Sequence, residues 1–409
     1  MSSIRLSARV LAVAVSVALF GAIAWAGNYQ IVYNFQQKSG DNPQNGVVFD
    51  SVGNMYGAAF QGGTAGCNKG VQGGCGVIFK LAPAGNGTWT YSELYNFTGQ
   101  ADGSHPFSSL VLDGAGSLYG TTYGKFYGVG TGLGTAFRLS PNANGSWKFT
   151  LLHTFAGGKD GSTPAGPLVL DQAGNLYGST WYGGTSNQGV VFKLAASPSG
   201  PWKETLVHTF GGCQDGGVPN GVVSDPSGNI YGTTQIGGVA CGASGYGVAF
   251  QLSPQGSGWK DTILHSFSGG VDGSSPAMLT FAGNGTLYGV AAGSGRGYGL
   301  AFQLTPQAGG HWVELVLHDF DGQNGLNPRA ILENGGNLYG TTNSGGVGLG
   351  VLFELTADTN WTESVLTNFN TPIGELPQGP LAVDSAGNVY GTTTSGGSAD
   401  LGVVFEYTP

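Results

Sequence analysis

The sequence predicts an all-β chain folded as a seven-bladed β-propeller, with four antiparallel strands per blade and the N-terminal strand closing the ring. Three observations predict it. First, 78 of 409 residues are glycine and only 9% are charged, which suits short strands and tight turns, since Gly costs about 1 kcal/mol at a helical site. Second, an apolar-Tyr-Gly tripeptide recurs seven times, at Tyr56, Tyr119, Tyr177, Tyr231, Tyr288, Tyr339 and Tyr390, spaced 51 to 63 residues apart. A repeat of that size with several strands per unit suits a propeller blade. Third, the ends are complementary. Tyr29–Phe35 (YQIVYNF) matches a fourth strand such as Tyr91–Phe97 (YSELYNF), whereas the chain ends on a third strand, Gly402–Tyr407. The first strand can therefore complete the last unit and leave no unpaired edge.

The elements follow in order. Arg5 and Arg9 precede an uncharged stretch, Val10–Ala26, that ends Ala24-Trp25-Ala26. A charged start, apolar middle and small-residue end read as a secretory signal peptide. The expected organisation is a signal over residues 1–26 and one propeller over 27–409, in a secreted or otherwise extracytoplasmic protein of the periplasm or cell surface. With no second long apolar segment in the sequence, no membrane association is expected after cleavage.

Each unit reads as four strands. Around Tyr177 they are Gly166–Asp171, Asn175–Thr180, Gly189–Leu194 and Trp202–Phe210, each rich in β-formers and bounded by Gly, Pro, Asn or Asp. The first is nearly all apolar, as a strand buried on both faces would be. The turn after it is D-x-x-G-N, in which Gly supplies a positive φ and Asp bonds the backbone two residues on. Asp50, Asp113, Asp171, Asp225 and Asp384 are therefore structural, with Ala282 and Glu333 in the same slot of units five and six.

This pattern, L-Y-G-T-T…G-G…G-V-V-F-x-L followed by W-x-E-x-x-L-H-x-F…D-G-x-x-P, resembles the Gloeobacter/Verrucomicrobium-type tandem repeat of exported bacterial proteins, over essentially all of Gly27–Pro409. The D-x-x-G-N-x-Y element is similar to the NHL type of propeller repeat. The resemblance implies an exported repeat protein and supports the strand order, with Gly166–Asp171 innermost. Fold does not fix activity.

Loops after strand four and between strands two and three share one face of such a blade. Cys67 and Cys75 lie in one second-to-third loop; Cys213 and Cys241 lie in loops of both kinds flanking one blade. The expected disulfides are Cys67–Cys75 and Cys213–Cys241, as an even cysteine count in an exported chain suggests. Zinc is the weaker reading, because no C-x-x-C is present.

The same face collects two candidate binding sets. One is D-G-x-x-P, with Asp102, Asp160, Asp215 and Asp272. Their carboxylates suit Ca²⁺ or hydroxyl groups, although a capping role in the turn before the next blade is the simpler reading. No cofactor is expected, and Ca²⁺ has no specific motif here. The other set is aromatic: Tyr123, Phe126, Tyr127, Trp181, Tyr182, Tyr246 and Tyr298 depart from the repeat within Gly-rich segments. Such rings stack on sugars or on a partner surface, or else pack between loops. Trp181 and Tyr182 are the foremost candidates. The tryptophans Trp89, Trp147, Trp202, Trp259, Trp312 and Trp361 recur at one slot, as do His153, His208, His265 and His318, and read as blade packing.

Net charge is −9, with only 14 Lys plus Arg and no basic run, which excludes nucleic acid as a partner class. No G-x-S-x-G, H-E-x-x-H or P-loop motif occurs. The expected function is an exported binding or scaffold module that takes a glycan or an extracellular protein on the loop face. The alternatives are a secreted carbohydrate-active hydrolase or lyase on the same face, or a structural envelope protein.

Overall fold

A computed structural model describes residues 27–65, 67, 73–125, 132–197, 202–294 and 296–409. The predicted signal segment, Phe126 and Tyr127 lie outside the described residues. Seven antiparallel sheets follow one another along the chain. We number them blades 1 to 7, over residues 47–96, 111–154, 162–209, 217–266, 274–319, 326–368 and 375–408. The only helical turns among the described residues are Gly158–Asp160 and Gly242–Ser244.

The ring closes as the two ends require. Asn28–Asn34 pairs antiparallel with Val403–Thr408 and becomes the outermost strand of blade 7. The inner strand of that blade is broken into Glu375–Pro377 and Ala382–Val383, both paired with Val389–Ser395. This break makes 29 strands where seven times four predicts 28. In blade 3 the strands are Ser162–Leu170, Leu176–Tyr182, Val190–Ala195 and Lys203–Thr209. The first two run farther toward the loop face than the sequence suggests, so Trp181 and Tyr182 belong to a strand rather than a loop. The innermost strand is also not buried on both faces. Leu168 is buried, but Val169 and Leu170 are partly open.

Blades are held together by sevenfold contacts that the repeat encodes. The phenylalanine ending each outer strand packs edge-on against the phenylalanine in the third strand of the next blade. Phe155 meets Phe192 at 5.1 Å, Phe210 meets Phe250 at 5.2 Å, and Phe35 meets Phe79 at 5.1 Å across the closure. The first member of each pair is essentially inaccessible to water. Each such aromatic pair contributes roughly 0.5–1.5 kcal/mol beyond the area it buries. Farther out, a recurring tryptophan meets the repeat tyrosine of the preceding blade, as Trp202 does Tyr119 and Trp259 does Tyr177, at 6.0 and 5.9 Å. The D-x-x-G-N turn is a closed network. Asp171 Oδ1 accepts the Ala173 and Asn175 N–H groups, and Oδ2 accepts the Asn175 amide and the Tyr177 hydroxyl. Glu333 keeps part of it, accepting the Gly336 N–H, while Tyr339 turns to Glu354.

The cysteines pair as Cys67–Cys75 and Cys213–Cys241, with Cα–Cα distances of 5.1 and 4.0 Å. Among the described residues no helix is long and apolar enough to cross a membrane.

Candidate functional site

The residue before each D-G-x-x-P-type proline sits in the left-handed region: Asn42, His105, Thr163, Val218, Ser275, Asn327 and Leu376 have φ between 48° and 60°. Residues before proline ordinarily avoid helical conformations in favour of extended ones, and a left-handed non-glycine costs about 1–3 kcal/mol. One compensation recurs at every position. The N–H of that residue donates to a carbonyl of the preceding blade: His105 to Cys75, Thr163 to Leu133, Val218 to Gln188, Ser275 to Tyr246, Asn327 to Tyr298, Leu376 to Leu349 and Asn42 to Leu401. The kink turns the chain inward. The residue after each proline then reaches the axis.

Those seven residues are Gln44, Phe107, Ala165, Asn220, Ala277, Arg329 and Gln378, and all seven line one cavity of about 140 Å³ at the channel mouth, together with Trp181. Below it the channel widens to about 460 Å³ between the inner strands, lined by Val48, Leu110, Val223, Leu279, Ile331 and their neighbours. The backbone scaffold repeats sevenfold, while the side chains it presents differ from blade to blade.

One side of the mouth is aromatic. The Trp181 ring stands edge-on to Phe107 at 5.3 Å and to Tyr123 at 6.0 Å. Tyr123 also meets Phe107 at 5.3 Å, and Phe60 completes the group against Phe107 and His105. Burial lowers the His105 pKa, against the opposing bond to the Gly124 carbonyl. Indole Nε1 of Trp181 is buried and has no hydrogen-bond partner among the described residues.

The other side is polar. Gln235 donates to the Asn220 side-chain oxygen at 2.7 Å, and Asn220 in turn donates to the Pro276 carbonyl. Asn45 donates to the Pro106 carbonyl. Arg329 completes this side, with Nε buried and unpartnered among the described residues. Its pKa is lowered by burial. No carboxylate or imidazole belongs to the lining of either the mouth or the channel below it.

The sequence-derived candidates are distributed as follows. Trp181 lines the mouth and Tyr123 packs on it. Both rings are covered by Phe107, which the inward kink at Pro106 delivers to them from blade 2. Tyr182, at the end of the same strand, is 44% exposed and points elsewhere than the mouth lining. Tyr246 and Tyr298 are exposed but lie over Gly269 and Gly322, in the turns that follow the outer strands of their own blades.

None of Asp102, Asp160, Asp215 and Asp272 lines the mouth. Each instead closes its turn. Asp102 accepts the Thr98 and Gln100 N–H groups, Asp160 that of Ala156, Asp215 that of Gly211, and Asp272 that of Ser268. Each also faces the outer strand of its own blade: Asp102 meets the Tyr95 hydroxyl, and the others meet His153, His208 and His265 at 2.9, 3.5 and 3.3 Å. The next blade adds an acid to three of these pairs. His153, Asp160 and Glu204 offer ligand atoms within 4.8 Å of one another, a donor set that could hold a divalent cation. Burial, with the bond to Asp160, pushes Glu204 up to about 9, so it holds a proton at neutral pH. Burial opposes ionisation of Asp160 too, but the Glu204 bond, the Ala156 N–H and His153 hold it below its ordinary value.

Arg329, Phe107, Asn220 and the glutamines of the mouth escaped the sequence reading, which weighed residues that break the repeat in its loops. Their signal is the slot following the repeat proline. It reads Gln, Phe, Ala, Asn, Ala, Arg and Gln in successive units, each time after the recurring proline, and variation beside a fixed residue marks a side chain the fold leaves free.

Fold and mouth together define the class: a closed propeller built of repeats, with a differentiated cavity at its axis. The chain belongs to the Gloeobacter/Verrucomicrobia repeat family, which matches residues 19–242 and 218–409. No curated protein matches the sequence. Among solved structures it is similar to a periplasmic gluconolactonase of Pseudomonas aeruginosa, with a TM-score of 0.52 and 13% identity over 86% of this chain and 96% of that one. It is also similar to a gluconolactonase of Xanthomonas campestris, with a TM-score of 0.40 and 14% identity over 67% and 81% of the two chains. At such identities the likeness is one of fold.

Proposed function

We propose that the protein is an exported binding module that takes a saccharide at the channel mouth. The observation that carries this reading is the composition of the lining: an aromatic wall of Trp181 and Phe107 facing side-chain amides, with no acid or imidazole among them. An aromatic face stacks on the C–H surface of a sugar while amides exchange hydrogen bonds with its hydroxyls. General acid–base cleavage ordinarily uses a carboxylate or imidazole within reach of the scissile bond, and neither belongs to this lining among the described residues, so binding is the function it supports. Export is supported by the signal-like residues 1–26 and by two disulfides, which form and persist in oxidising compartments. N-terminal sequencing of the recovered protein should then begin at Gly27.

The test of binding is a broad glycan array, probed with and without Ca²⁺. Selective retention that disappears in Trp181→Ala, with the melting temperature kept, is the expected result. Loss on chelation alone would bring the Asp160 and Asp215 turns into the site. A blank array with folded protein would overturn the reading.

A further inference from the structure

We infer that the saccharide bound at the channel mouth is acidic, and that Arg329 holds its carboxylate. This inference rests on the saccharide reading above and adds the charge of the ligand to it.

The chain has three arginines after residue 26. Arg296 pairs with Asp319 at 3.2 Å. Arg138 lies beside the Tyr119 hydroxyl, whose proton Asp113 accepts, and its charge acts on that group. Arg329 has no ion pair or hydrogen bond among the described residues, and of the three it is the one on the axis. A cation withdrawn from water is costly unless it is paired. Here nothing in the lining supplies a negative charge, although the protein as a whole carries a net charge of −9.

The fold does not ask for this arginine. The equivalent slot holds Gln44, Phe107, Ala165, Asn220, Ala277 and Gln378 in the other blades, so a small, polar or aromatic side chain serves equally well there. Arg329 is therefore a feature of the mouth and not of the blade. A guanidinium presents a rigid fork of N–H donors that matches a carboxylate in two parallel bonds. Blade 6 thus supplies a cation to one small cavity walled by Trp181 and Phe107 on one side and by side-chain amides on the other. A sugar ring bearing a carboxyl group, such as a uronic acid, meets all of these at once.

The experiment uses an array carrying uronic-acid oligosaccharides, the same oligosaccharides with their carboxyls methyl-esterified, sulfated oligosaccharides and neutral ones. The native protein should retain the free uronates about tenfold or more over their esters, the range for one charged hydrogen-bonded contact. Arg329→Gln should abolish that preference at an unchanged melting temperature. Arg329→Lys should keep part of it, since charge remains and the fork is lost. Equal retention of acid and ester, or an Arg329→Gln variant with undiminished preference, would overturn the inference while leaving saccharide binding intact. Retention of sulfated chains in place of uronates would overturn the assignment of a carboxylate. A blank array would overturn both this inference and the reading it rests on.

Discussion

Gly402 and Pro43 lock the last repeat to the first: a Cβ placed on Gly402 would stand 2.6 Å from Cδ of Pro43. The same approach recurs inside the ring, at Gly189 with Pro219 and at Gly247 with Pro276, at 2.6 and 2.8 Å. Residues at opposite ends of the chain therefore meet in the geometry used between consecutive blades. The Phe35 N–H adds a bond to the Gly402 carbonyl at 3.1 Å.

Gly402→Ala should destabilise the closure. Its φ of 91° disfavours any side chain, and the proline ring and the Thr393 carbonyl leave no room for a methyl group. The expected loss is about 1–3 kcal/mol from the backbone conformation alone, read as a lowered midpoint in urea. An unchanged midpoint would mean that the first strand does not close the ring in this register.

Val218→Asn should stabilise. Val218 holds a φ of 56°, and the equivalent slots in blades 1 and 6 are filled by Asn42 and Asn327. A β-branched residue is poorly suited to that region, which asparagine tolerates, and the difference is of order 1 kcal/mol. A raised melting temperature, with the hydrogen bond from residue 218 to Gln188 retained, is the expected outcome.

Glu204 makes stability fall with rising pH. Its folded pKa is raised from 4.5 to about 9, so between those values the folded chain holds a proton the unfolded chain has released. Its contribution therefore declines as pH rises through that window. The depressed pKa of Asp160 acts in the opposite sense and only near and below its ordinary value of 3.8. Glu204→Gln, which removes the titration and keeps a donor for Asp160, should make the melting temperature fall less between about pH 5 and 9 than it does in the native protein, where Glu314, raised to about 7, adds to the same decline. A wild-type profile already flat there would contradict the assignment.

Removing the two disulfides should have unequal effects. Cys213–Cys241 spans 28 residues and Cys67–Cys75 spans 8. Loop-closure entropy assigns them roughly 3.5 and roughly 2.5 kcal/mol. Paired Cys→Ser variants should therefore lower the melting temperature in that order. Equal or reversed losses would show that native packing, not chain entropy, sets their value.

The blade count, the strand order and the closure were legible in the sequence by itself, which also favoured the two cysteine pairs that the structure shows. Each of these is written in local and periodic signals: the Tyr-Gly tripeptide, the D-x-x-G-N turns, the matching first and last strands, and loops confined to one face. The Asp171 network lies within seven residues of chain, and so was legible from spacing alone. Only the tertiary structure decided where those repeats point their variable side chains. Phe107 and Trp181 are 74 residues apart in the sequence, and nothing local shows that a left-handed residue before Pro106 brings the first against the second. Arg329 reads as an ordinary charged residue until the ring is closed. Seven inward kinks around one axis then place it in a cavity with no counter-charge, a property of the closed circle that no single repeat contains.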